Sequence, residues 1–218
     1  MNINEIKALI KKDFVTEWRQ KYALSGIMLH VVSMIFVVFL SLKIMNAPTW
    51  NTIFWLIILF SSVSAVAKSF IGESNGQHLY YYAIASPQSI IIAKLVYNSV
   101  LMFIQMAVSM VVYFTLLGNI AENSFMYILC LALGGWGFAN TFTFLSAISA
   151  KASNSNGLMP VLSFPLILPI LLIAIKASKK AMDGLDVSLI SKDLLLLLVF
   201  NIMLATMAYL LFPFIWKD

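Results

Sequence analysis

Reactive groups are scarce in this sequence, which has one cysteine, Cys130, and two histidines, His30 and His78, among 218 residues. A lone cysteine excludes an intrachain disulfide and paired-thiol redox chemistry, and its place in an apolar run fits a packed, inert thiol. Neither histidine belongs to an H-E-x-x-H pair, and no Cys/His/Asp cluster has the spacing of metal ligands. No G-x-x-x-x-G-K-S/T loop is present to cradle phosphates, so any ATP that powers this chain must be bound by another polypeptide. The absence of C-x-x-C-H excludes covalent heme of the c type. Neither catalysis nor a bound metal is expected.

Charge is scarce as well. Asp, Glu, Lys and Arg make up 11% of the chain against 61% hydrophobic residues, and the mean hydropathy is +0.94, far from the usage of soluble domains. The formal charge of +5 does not point to nucleic acid, because the basic residues are scattered at the ends of apolar runs, where they act as topology signals. The runs lack period-two alternation, which excludes a transmembrane barrel.

About 20 apolar residues are needed to cross the hydrocarbon. Six runs qualify, at about 24–42, 50–67, 95–117, 125–150, 158–175 and 194–215. The expected fold is therefore an all-α integral membrane protein, a single membrane domain over residues 1–218 with six transmembrane helices. Residues 1–21 carry acidic groups and precede no small-residue cleavage site, so they are expected to stay attached as an amphipathic interfacial helix. Ile3, Ile6, Ile10, Phe14 and Trp18 recur at helical spacing, with Lys11, Lys12 and Asp13 elsewhere. Lys7 and Glu17 fall near the apolar face and would snorkel to water.

Six spans place both termini on one side. That side carries Lys7, Lys11, Lys12, Arg19, Lys21, Lys68, Lys94, Lys151 and Lys217, whereas the other carries Lys43, Lys176, Lys179, Lys180 and Lys192. The excess assigns the termini to the cytoplasm. The lysine-rich stretch 176–193, read as a loop, falls on the far side together with Asp183, Asp186 and Asp193.

Residues 73–94 form the one long polar interruption between apolar runs. Ser86 followed by Pro87 is a helix start, since serine caps free N–H groups and proline is tolerated at the first helical position. A helix from Pro87 to Leu117 would measure about 46 Å at about 1.5 Å per residue, so its first turns must stand in the interface. Leu79, Tyr80, Tyr81 and Tyr82 cluster beside Glu73 and His78, either as an aromatic belt at headgroup level or as a docking knob for a partner. Trp136 and Asn140, next to Gly134, Gly135 and Gly137, either pack helices closely or line a cavity. Pro160, Pro165 and Pro169 should bend or locally unwind the fifth span, shaping the bundle or forming a pivot. His30, inside the first span, is either bonded across helices or a ligand to a metal or a porphyrin iron.

Four stretches resemble a known family: DFVTEWRQKYALSGIML, FWLIILFSSVSAVAKSF followed by Glu73, LYYYAIASPQSIIIAKLVYN, and SAISAKASNSNGLMPVLSFPLILPILLIA. The chain is similar to the cytochrome c-type biogenesis membrane proteins of the CcmB (heme exporter protein B) family, the permease-like subunits of an ABC-type complex. The resemblance implies an ABC-2-like permease architecture, two copies per complex, and location in the bacterial cytoplasmic membrane among its lipids. It also implies a CcmA-like ATPase partner that carries the ATP, further cytochrome c maturation subunits and a heme chaperone. Glu73, His78, Leu79, Tyr80, Tyr81, Ser86 and Pro87 then become candidate ATPase-coupling residues. Heme is implied as cargo and not as a resident cofactor. Tyrosines stand here where the family has an aliphatic run, and the tryptophan-rich heme-handling motif of the neighbouring subunit is absent.

Overall fold

The computed structural model describes residues 3–19, 21–42, 45–66, 68–71, 85–150 and 155–217. Among them lie seven helices of 17 to 31 residues and one single turn. In chain order these are α1 (Ile3–Arg19), α2 (Lys21–Ser41), α3 (Ala47–Val66), α4 (Lys68–Ile71), α5 (Pro87–Leu117), α6 (Ser124–Ala150), α7 (Ser155–Met182) and α8 (Val187–Lys217). Five of them, α3 and α5 to α8, are long and apolar enough to cross a membrane; Ser25–Ser41 of α2 is a shorter apolar helix. This is an all-helical, multi-pass membrane protein.

Helix α6 is the hub, packed against α3, α4, α5, α7 and α8. Its glycines explain why so many neighbours fit. A Cβ on Gly134 would strike the Trp55 ring of α3, one on Gly135 would strike Met106 Sδ of α5, and one on Gly137 would lie 2.8 Å from Ile170 of α7. Three helices thus meet the α6 backbone directly, which is how bundles gain contact area where lipid offers no hydrophobic drive between helices. Buried amides and hydroxyls add bonds across them: Asn140 donates to Asn201 Oδ1 at 3.2 Å, and Trp55 Nε1 donates to Ser178 Oγ at 2.8 Å.

Two apolar clusters mark the ends of the bundle. Phe70, Ile90, Ile91, Leu95, Phe144, Phe212 and Trp216 join α4, the start of α5, the end of α6 and the end of α8, with Leu9 of α1 packed on them. The amino-terminal helix and the end of α8 therefore share one end of the molecule. At the opposite end Trp50, Phe54, Tyr113 and Tyr127 stack together, and Tyr113 donates to the Trp50 carbonyl at 2.9 Å.

The charged stretch 176–193 is not a loop. Helix α7 continues to Met182 and α8 starts at Val187, leaving a turn in which Gly184 takes a positive φ of 63°. An ion pair spans the turn: Asp193, 4% exposed, lies 2.7 Å from Lys180 and 3.8 Å from Lys176. Glu122 and Asn123 donate backbone N–H groups to the Met182 and Ala181 carbonyls, closing the end of α7. Helix α7 also runs through Pro160, Pro165 and Pro169 as one element rather than unwinding.

Candidate functional site

The site is built where α1 meets the start of α5. Ser86 caps α5 with an extended backbone (φ −71°, ψ 142°), its Oγ accepting from Ser89 N, and Pro87 fills the first turn where no N–H is needed. Ser86 Oγ lies 2.7 Å from Ser89 Oγ and donates to Glu5 Oε2 of α1 at 3.4 Å. Two turns further on, Lys94 Nζ lies 3.4 Å from both carboxylate oxygens of Asp13. Both contacts join residues 81 apart, so α1 runs in the same direction as the first turns of α5, side by side with it.

The pair is deeply placed: Asp13 is 8% exposed and Lys94 7%. Asp13 takes a second cation, Lys12 Nζ at 2.9 Å, and Lys94 stands over the Phe70 ring of α4 at 5.6 Å from its centroid. Phe14 meets Tyr97 edge to face at 5.1 Å. A buried ion pair adds little over a well-packed apolar pair, but removing one partner costs about 3–5 kcal/mol because the other charge is stranded. The contact therefore specifies how α1 sits on α5. Glu17, one turn beyond Asp13, faces Tyr97 and Lys94. Burial holds its carboxyl above the usual carboxylate range, the Tyr97 hydroxyl and Lys94 oppose this, and the negative Asp13 adds to it.

Sequence periodicity placed Asp13 off the apolar face, and Lys94 was read as a topology signal; the structure buries both. The signal was present as an acid and a base on the flanks of apolar runs, but nothing local pairs residues so far apart. Of the candidate coupling residues, Ser86 and Pro87 form the start of α5, while Glu73, His78, Leu79, Tyr80 and Tyr81 lie outside the described residues. That segment is flanked by α4, through Phe70, and by Ser86, both of which touch the α1 junction.

The model for the ABC-2 type transporter family matches residues 4–169, about three quarters of the chain. This chain is an ABC-2 type transporter membrane protein. No curated protein and no solved structure matches it. Membership makes it the transmembrane subunit of an ABC transporter, a non-catalytic part that works with an ATPase.

Within this permease the remaining candidate residues fall in separate places. Asn140 is 1% exposed and bonded to Asn201, which in turn donates to the Leu133 and Leu197 carbonyls at 3.0 and 2.9 Å. Trp136, one turn earlier, is half-buried. Pro165 is exposed and Pro169 half-buried on α7, and the side chain of Pro160 lies outside the described residues. His30 is exposed on α2, beside buried Val31. The structure does not bring His30 together with Trp136 or the prolines by any hydrogen bond or ring contact among the described residues.

Proposed function

We propose that this permease serves cytochrome c maturation, coupling ATP hydrolysis by a CcmA-like partner to heme export or to release of a heme-loaded chaperone. Residues 73–94 receive the ATPase on the cytoplasmic face of a bacterial inner membrane, and two copies face two ATPases. The observation that carries the coupling is the buried Asp13–Lys94 contact. It ties α1 to the helix that leads directly out of the receiving segment, so displacement of residues 73–94 moves α1 and α5 as one body rather than bending a loop. The cargo is supported by the four stretches that resemble the heme exporter B family. ATP is bound by the partner and heme is handled as cargo, with no covalent attachment to this chain.

The test is genetic and biochemical together. Deletion should abolish holo-cytochromes c while leaving their apoproteins synthesised, and the chain supplied in trans should restore them. A second reading, an ABC exporter subunit for a lipid, polysaccharide or drug, is favoured by the breadth of the family match. Normal cytochrome c content after deletion would select it.

A further inference from the structure

The buried face of α5 carries a column of polar groups that runs the depth of the membrane. Lys94, Asn98, Gln105, Ser109 and Tyr113 follow one another at steps of four, seven, four and four, all on one side of the helix and all buried. From Lys94 to Tyr113 the column measures about 28 Å at about 1.5 Å per residue, close to the roughly 30 Å of hydrocarbon. Hydroxyls of three other helices are bonded to it: Ser61 of α3, Ser69 of α4 and Thr143 of α6.

Ordinary interhelical bonding explains part of this. Asn98 donates to Ser69 Oγ at 2.9 Å and to Thr143 Oγ1 at 2.8 Å, and Gln105 Nε2 donates to Ser61 Oγ. It does not explain the rest. Ser61, Ser109 and Thr143 spend their own protons on carbonyls of their own helices, so across the helices Ser61 and Thr143 only accept and Ser109 makes no bond among those described. Gln105 Oε1 is fully buried and takes no hydrogen bond from the protein, a cost a packing residue would avoid. Parting α5 from α3 would break the Gln105–Ser61 bond and the bond from Tyr113 to the Trp50 carbonyl. Such bonds in membranes average only about 0.6 kcal/mol.

We infer that this column is a latent hydrophilic seam, which opens to water when α5 parts from α3. It passes the hydrogen-bonding portion of an amphiphilic cargo whose apolar remainder stays in lipid. Between Lys94 and Tyr113 the column is neutral, offering amides and hydroxyls and no charge to hold a bare ion. The inference rests on the ABC permease assignment and not on the identity of the cargo.

The test uses thiol accessibility in native membranes, with Cys130→Ala removing the single native thiol. Ser61→Cys and Ser109→Cys are near-isosteric and should fold. Val111→Cys, at a position 60% exposed on the outer face of α5, reports the lipid side. With a membrane-impermeant maleimide, Ser61→Cys and Ser109→Cys should go from unlabelled to labelled when ATP and vanadate trap the complex, while Val111→Cys stays unlabelled. Adding Gln105→Leu should abolish labelling of Ser109→Cys. No labelling of either position in any nucleotide state would overturn the seam, as would labelling equal to that of Val111→Cys. Co-purification of an ATPase, scored on the same membranes, separates the two claims. An ATPase retained without labelling sinks the seam alone, and labelling without any ATPase sinks the ATP-driven reading alone.

Discussion

Asp13 and Lys94 are worth more as a pair than either is alone. Asp13→Asn removes the carboxylate nearest Lys94, and Lys94→Met leaves Asp13 to Lys12 alone. Each should therefore lower stability by less than a fully stranded buried charge does, about 3–5 kcal/mol, and the double variant should lose less than the sum of the two. A thermal unfolding series of the four proteins in one detergent measures this. Equal, additive losses in the double variant would show that the two side chains do not interact. Glu17 gives a prediction of opposite sign in pH. Its folded carboxyl titrates above the ordinary value near 4.5, so the folded state holds its proton to higher pH than the unfolded chain does. Its contribution is thus fully present below the unfolded value and lost as pH rises through the folded one. Glu17→Gln should raise the unfolding midpoint at neutral pH and flatten the fall in stability above pH 4.5.

At the scale of elements, the six apolar runs and the start of α5 were legible in the sequence because each rests on a local rule. Hydrocarbon thickness selects run length, and serine followed by proline opens a helix. The burial of Asp13 on α1 was not legible, since a periodicity argument assigns faces from the helix's own residues and cannot see a lysine 81 residues away. The stretch 176–193 misled for the same reason: Lys180 and Asp193 look like loop residues until they are seen to neutralise each other across a turn. The glycines of α6 were readable as a close-packing face, and the structure adds which neighbour each one admits. Gly134→Ala is the sharpest probe, because its Cβ meets the Trp55 ring, which Ser178 holds in place. Overpacking of this kind costs about 1–3 kcal/mol. Gly135→Ala should cost less, because the opposing atom belongs to the flexible Met106 side chain. Comparing the unfolding midpoints of the two variants checks the order.

For the whole molecule, one end is built to be acted on. The amino-terminal helix, the single turn α4, the start of α5 and the end of α8 meet there around Phe70, Phe212 and Trp216, next to the segment proposed to receive the ATPase. The other end is closed by stacked aromatics and by the Lys180–Asp193 pair. The acids described within α7, α8 and their turn sit at this closed end, away from the middle of the bundle, which argues against a proton-driven carrier. The measurement that bears most directly on the account is affinity purification of the tagged chain from native membranes, with ATP hydrolysis assayed on what is recovered. The account predicts that a P-loop ATPase co-purifies and hydrolyses ATP. Charge reversal at Glu73, or bulky polar residues at Leu79 and Tyr80, should remove or uncouple it without unfolding the permease. Recovery of the chain alone, transporting cargo without ATP, would contradict it.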